Sequence, residues 1–419
     1  MTGTPVDDHG KGFDRMWADL APIGLRPNGG YRRFAWTRED HTLREWFAAE
    51  AERRGLDVVV DRAGNQWAWW GDPDADGPGV VTGSHLDSVP SGGAYDGPLG
   101  VVSAFLAVDA LREHGIQPSR PIGVACFADE EGARFGVACA GSRLLTGALA
   151  AERAHRLTDD DGTTLADAMR TAGQDPDRIG PDAEALRRVG TFVELHVEQG
   201  RGLVDLGRSV AVGNMIWPHG RWRVDLVGRA NHAGTTALAD RHDPMLRLAA
   251  LVEGVRVGAE RHGALATVGK IRVEPNGVNA IPSEVTAWID CRAPEAERVE
   301  RVLADLMEFA PETESWTPPT VFDTDLVTRL SRIVVPRRGG GADSAVPPAQ
   351  QANGAQAAPI LSTGAGHDAG ILSATGVPSA MLFVRNPTGV SHAPDEFAER
   401  DDCLAGVHAL ARCLAELAV

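Results

Sequence analysis

The sequence predicts an α/β protein: a mainly parallel or mixed sheet covered by helices on both faces, with a smaller α+β domain inserted into the chain. Three observations predict it. Short buried-strand runs, GVVTGS at 79–84, IGVACFA at 122–128 and TFVELHV at 191–197, alternate with helical patterns in the first half. From about Val212 the strands alternate apolar and polar residues, as strands with one solvated face do. Signals of the first kind resume at Met381–Val384 and Asp402–Leu417, so the second pattern is an insert.

Each element follows from local pattern. Arg38–Arg54 reads as a helix, with Trp46, Phe47 and Ala51 at helical spacing. Val58–Val60 and Gln66–Trp70 read as strands around the turn Ala63-Gly64-Asn65. Pro98–His114 places Val101, Phe105, Val108 and Leu111 on one helical face, and Gly115 stops it. In the insert, Trp222, Val224 and Leu226 alternate with Arg221, Arg223 and Asp225. A helix from about Asp243 to His262 follows, then strands Ala266–Val273 and Val285–Cys291 joined by Pro275-Asn276-Gly277, then a helix over Glu295–Ala310. This β-α-β-β-α series reads as a split βαβ unit. The expected domains are residues 1–213 with 326–419, and an insert at 214–325. Residues 336–359, rich in Gly, Ala, Pro and Gln, read as a flexible low-complexity surface loop.

Composition narrows the function. The 419 residues carry a formal charge of −17, from 41 Lys+Arg against 58 Asp+Glu, which argues against nucleic-acid or anionic-membrane binding. No stretch approaches the ~18 apolar residues of a membrane span, and the N-terminal segment lacks the apolar run of a signal peptide, so a cytoplasmic setting is expected. Five cysteines without a CxxC pair are no disulfide framework. Only Lys11 and Lys270 are lysines, and neither stands in the Gly-Lys-Ser/Thr of a Walker A loop. A Schiff-base enzyme would have to use one of these two. No G-x-S-x-G elbow is present. The chemistry left over belongs to carboxylates and the 13 histidines.

Those residues gather at four strand ends. His85 follows its strand directly, where open α/β sheets bind ligands. Asp96 lies eleven residues on, among Gly92, Gly93 and Gly97. Asp87 is placed to orient the His85 imidazole. Asp129-Glu130-Glu131 closes the strand 122–128; three adjacent carboxylates repel one another unless a cation or solvent offsets them. A carboxylate beside a metal ligand has a natural role as general base on water. His196 closes the third strand, in Glu194-Leu195-His196-Val197-Glu198-Gln199, and His392 follows the fourth, in Ser391-His392-Ala393-Pro394. Each histidine alone is more often structural than ligating. Together they supply the mixed nitrogen and oxygen set that suits Zn, Mn or Co.

The segments GSHLDSVPSGGAYDGPLGV, FADEEGARFG, ELHVEQG, GRANHAGTT, GVNAIPSEV, GAGHDA and GVSHAPDE resemble the M20 metallopeptidase clan. More narrowly, they resemble its amidohydrolase branch of N-carbamoyl-L-amino acid hydrolases, allantoate amidohydrolases and β-ureidopropionases. The match runs in order over nearly the whole chain. The resemblance implies two divalent ions per subunit, Zn or Mn with Co or Ni as alternatives. One ion would be held by His85 and His196, the other by Glu131 and His392, with Asp96 bridging. Glu130 would be the general base and acid, and His232 would stabilise the oxyanion, reaching the partner subunit's site. Asn279 and Arg292 would bind the substrate carboxylate, and His367 would contact the substrate. The insert would serve as a dimerisation or lid domain of a homodimer. This chain departs from its relatives at His219, where they commonly carry a Gln that contacts substrate. The expected reaction is hydrolysis of the C–N bond of an N-carbamoyl, ureido or N-formyl derivative of an amino acid or small acid. The alternatives are an aminopeptidase or dipeptidase of the same clan and a catalytically silent binding protein.

Overall fold

A computed structural model describes residues 8–335 and 357–419. Most of the loop expected at 336–359 therefore lies outside the described residues. The strands, in chain order, are β1 (Asp57–Val60), β2 (Gln66–Trp70), β3 (Gly79–His85), β4 (Ile122–Phe127), β5 (Val189–Val197), β6 (Val210–Ile216), β7 (His219–Val227), β8 (Asn231–His232), β9 (Leu265–Glu274), β10 (Ala280–Ile281), β11 (Glu284–Arg292), β12 (Glu312–Thr317), β13 (Thr320–Val321), β14 (Ile360–Thr363) and β15 (Ser379–Val384). The chain divides into two compact units. One comprises Met1–Asn214, Val321–Leu361 and Gly366–Val419; the other comprises Met215–Thr320 with Ser362–Ala365.

The larger unit is built on a mixed sheet of order β1-β2-β4-β3-β5-β15-β6-β13. Its centre, β4-β3-β5-β15, is parallel throughout, so four strands end at one edge. β2 and β6 flank that centre as antiparallel strands. The central strands are buried along almost their whole length, which explains their continuous apolar character. The helix Pro98–Glu113 opens with proline in its first turn, and Gly97 before it has φ 86°. Its sequence suggests a single apolar face, but the helix is buried on every side, packed between the sheet and the C-terminal helix Arg400–Ala418. Small residues such as Gly100, Ser103, Ala104 and Ala107 allow that close approach. At Gly100 a Cβ would stand 2.4 Å from the Leu195 carbonyl oxygen.

The smaller unit is a four-stranded antiparallel sheet, β12-β7-β11-β9, backed by the helices Pro244–His262 and Ala296–Asp305. Trp222, Val224 and Leu226 of β7 face inward with Val285, Ala287 and Ile289 of β11, and Leu251, Val255, Val299 and Val302 cover them. Burying each such aliphatic side chain contributes about 1.5–3 kcal/mol. The last expected helix stops earlier than its pattern suggests: it ends at Asp305, and Met307–Phe309 continues as a 3₁₀ turn. β12, whose side chains are nearly all exposed, carries no apolar signal. Among the described residues no helix is long and apolar enough to cross a membrane.

Candidate metal centre

The parallel strand ends bring seven of the expected residues together in the larger unit. His85 and His196 are fully buried at the ends of adjacent strands. Their Nε2 atoms converge on one oxygen of Asp96, at 3.4 and 3.2 Å from Oδ1. Each Nδ1 faces a carbonyl, that of Asp87 at 3.2 Å for His85 and that of Val197 at 2.9 Å for His196. A carbonyl accepts only from an N–H, so both rings carry a proton on Nδ1 and turn Nε2 towards Asp96. Both Nε2 atoms are buried without a hydrogen-bond partner. Two buried ring nitrogens without a partner, both facing one carboxylate oxygen, are costly unless a cation lies between them. His85, Asp96 and His196 therefore fit a metal ion.

A second group shares Asp96. His392 Nε2 lies 3.4 Å from Asp96 Oδ2 and 3.6 Å from Glu131 Oε2. Asp96 thus offers one oxygen to each group, the arrangement a bridging carboxylate requires. His392 differs from the other histidines. Its side chain is 49% exposed and its backbone is left-handed, φ 57°. Asp129 belongs to neither group; it is buried with φ 53°, and burial together with nearby Asp87 holds its carboxyl well above the usual range.

Glu130 sits beside both groups without joining either. Its Oε2 lies 3.6 Å from His85 Nε2, and Cys139 donates its thiol hydrogen to Oε1 at 3.3 Å. The β1–β2 turn supports this loop: Asn65, wholly buried, accepts the Ala128 N–H at 2.9 Å and donates to Asp61 and to the Gly141 carbonyl.

The electrostatics follow from crowding acids in a buried site. Burial raises the Glu130 carboxyl well above its ordinary value; His85 opposes this, while Asp368, Glu131 and Asp87 add to it. Burial, with Asp96, pushes Glu131 up to about 7. Burial disfavours charge on His85, yet Glu130, Asp87 and Asp96 hold its pKa well above the ordinary value. Asp96 is pulled well below the carboxylate range despite burial, by His196, His392 and His85. A divalent cation held by these groups would compete with protons for them, which would couple ion binding to pH.

His367 lies in the same unit, 2% exposed, its ring 4.5 Å from that of His196. Neither of its ring nitrogens has a hydrogen-bond partner, and burial holds its pKa well below the ordinary value. Several neighbours escaped the sequence reading. Gln199 donates to Asp96 Oδ2 at 2.9 Å, three residues after His196. Glu194 lies two residues before His196, on the same strand face; it accepts from Ser84 at 2.8 Å and from the Ala369 N–H at 3.0 Å. That period of two is the signal that marks Glu194. Gln199 and Glu396 sit in loops, where no periodicity marks them.

The remaining expected residues belong to the smaller unit. His219 and Arg292 are register partners at the joined ends of β7 and β11. The Arg292 fork grips both oxygens of Asp290, at 2.7 and 2.8 Å, and its Nη1 donates to the Gly364 carbonyl at 2.8 Å. His219 Nδ1 lies 2.9 Å from the Trp217 carbonyl oxygen. His232 and Asn279 meet at the β8–β10 ribbon: His232 pairs with Ala280, and the Ala233 N–H donates to the Asn279 carbonyl.

A parallel sheet that gathers histidines and carboxylates at its strand ends, with a separate antiparallel unit in the same chain, is the framework of a metal-dependent hydrolase. The profile of Peptidase family M20/M25/M40 matches residues 81–416, and the chain belongs to that family. Over 97% of its length it is 35% identical to the N-carbamoyl-L-amino acid amidohydrolase of Geobacillus stearothermophilus, covering 98% of that protein. It is 31% identical to the allantoate amidohydrolase of Escherichia coli, over 95% of this chain and 96% of the relative. The crystal structure of an amidase of the hydantoinase/carbamoylase family from Burkholderia vietnamiensis superposes with a TM-score of 0.84 at 28% identity, covering 98% of this chain and 97% of that one.

Proposed function

We propose that this chain is a binuclear metal-dependent amidohydrolase. It cleaves the C–N bond of an N-carbamoyl, ureido or N-formyl derivative of an amino acid or small acid, with N-carbamoyl-L-amino acids and allantoate first among its substrates. The observation that carries the reading is Asp96, whose two oxygens serve two separate histidine groups. His85 and His196 would hold one ion, Glu131 and His392 the other, Zn or Mn, with Co or Ni accepted. When bound, such ions supply Lewis acidity and activate water near neutral pH.

The chain's own residues do the rest. Glu130 takes the proton of the attacking water and returns it to the leaving nitrogen, a role suited by its place beside His85 and outside both ligand groups. His232 donates to the developing oxyanion, and Asn279 with Arg292 takes the substrate carboxylate. His219 and His367 contact the remainder of the substrate. Homodimerisation through the smaller unit is supported by its exposed apolar residues: Leu265 and Ile271 on the edge strand β9, and Leu246 on the helix beside it. Five buried free cysteines fit a reducing, cytoplasmic setting.

The test is a panel of allantoate, N-carbamoyl- and N-formyl-amino acids beside dipeptides, assayed for ammonia or amine release before and after chelation. Turnover of ureido or carbamoyl substrates, lost on chelation and restored by Mn²⁺, Co²⁺ or Zn²⁺, is expected. Full activity without metal, or hydrolysis confined to dipeptides, overturns the reading.

A further inference from the structure

One buried carboxylate clamps the His392 loop to the Asp96 loop. Glu396 is 4% exposed. Its Oε1 accepts the Tyr95 N–H at 2.8 Å and the Asp96 N–H at 2.9 Å. Ser391, next to His392, lies with its hydroxyl 3.4 Å from the other oxygen and 3.2 Å from Asp96 Oδ2. Phe397 packs edge-on against Tyr95, ring centroids 6.0 Å apart. Gly93 makes the room: a Cβ there would stand 2.4 Å from Glu396 Cβ, Cδ and Oε1. Gly93 is not among the glycines with positive φ, so Glu396, and not backbone conformation, excludes a side chain at that position.

The two candidate ion groups depend on this clamp unequally. His85 and His196 end adjacent parallel strands, and the sheet holds them whatever the C-terminal loop does. His392 has no such support. It stands on a loop with a left-handed backbone and a half-exposed ring, some 300 residues along the chain from the aspartate it must meet. The hydrogen bond that the Asp96 N–H donates to Glu396 fixes that meeting.

We infer that Glu396 is a positioning residue for the second ion: it sets Asp96 against His392, and so governs binding at the Asp96–Glu131–His392 group while the His85–Asp96–His196 group stays intact. The inference rests on the two-ion reading above. Its test uses two substitutions on opposite loops, Glu396→Ala and Gly93→Ala, with Glu396→Gln as the conservative variant, whose amide oxygen still accepts both N–H groups. Apoprotein prepared by chelation is titrated with Co²⁺, followed by calorimetry and visible absorption. The unaltered chain is expected to take two ions. Glu396→Ala and Gly93→Ala should keep the first at native affinity and bind the second about 10- to 100-fold more weakly, and Glu396→Gln should restore it. Native affinity for both ions in Glu396→Ala, or equal weakening of both ions in the two alanine variants, overturns the inference. An unaltered chain that binds fewer than two ions overturns the two-ion reading itself, and this inference with it.

Discussion

Asp87 holds the Glu130 loop by its backbone. Its Oδ1 accepts the Glu130 N–H at 3.1 Å, its Oδ2 accepts the Glu131 N–H at 3.0 Å, and Oδ1 also lies 3.4 Å from His85 Nδ1. One carboxylate therefore fixes three of the groups expected to work together: the base, a ligand of one ion and a ligand of the other. Asparagine offers one acceptor and one donor in the same shape, so its amide would face an N–H it cannot bond. Asp87→Asn should lower kcat/KM and metal affinity by about 10- to 100-fold. Native turnover with full metal content in that variant would remove Asp87 from this role.

Glu130→Gln tests the base directly. The amide preserves shape and still accepts the Cys139 thiol hydrogen, but it cannot carry a proton between water and leaving group. The kcat should fall by about 10²- to 10⁴-fold, with ion stoichiometry unchanged. Loss of ions along with turnover would make Glu130 a ligand and not a base.

A second prediction about charge lies away from the site. Glu50, 1% exposed, accepts from Arg15 at 2.8 and 2.6 Å and from Arg54 at 2.7 Å. Burial opposes its ionisation, but these arginines outweigh it and bring the pKa down to about 2 from 4.5. A carboxylate whose folded-state pKa is depressed contributes stability above its unfolded value and loses it as pH falls through the folded one. Discounted for the screening that reaches the pair through half-exposed Arg15, the contribution is about 1–2 kcal/mol at neutral pH. Denaturant titrations of Glu50→Gln should show that deficit at pH 7 and its shrinkage between pH 4.5 and about 2. A deficit independent of pH would mean the loss is one of packing.

The sequence was most legible where one physical demand dominated. Strands buried on both faces read as apolar runs, and a polar residue at the end of such a run stands out; this found His85, His196, Glu130 and Glu131. The inserted sheet was legible because one face meets water. Apart from Glu194, what escaped has no period. Gln199 and Glu396 sit in loops and touch the site only because distant segments fold together. The short helices between Ala140 and Arg187 are too brief to show a helical stripe, though Leu144, Leu165 and Met169 among them build a cluster of their own. The converse holds at β1, where Val58, Val59 and Val60 read as strand by β-branching and yet remain about 40% exposed on the sheet edge.

Arg292 tests carboxylate recognition. Asp290 engages its Nε and Nη2, which fixes the plane of the guanidinium before any substrate arrives. Lysine keeps the charge and loses the fork. Arg292→Lys should raise KM about tenfold or more while kcat changes little, since the interaction is the same in ground and transition states. A fall in kcat at constant KM would place Arg292 at the reacting centre.

The last prediction concerns the second subunit. His232 is exposed on its short ribbon, and Leu238 and Val278 nearby are among the most exposed apolar side chains of the chain, 82% and 107%. A histidine proposed to steady an oxyanion works only where water is excluded, and apolar residues this exposed call for a covering surface. Both demands are met if His232 acts in the partner's site. His232→Ala and Glu130→Gln chains, each inactive alone, would then form heterodimers with one complete site of two. After full subunit exchange half the dimers are mixed, so activity should recover to about a quarter of the unaltered enzyme's. Verified exchange without recovery would confine His232 to its own subunit's site.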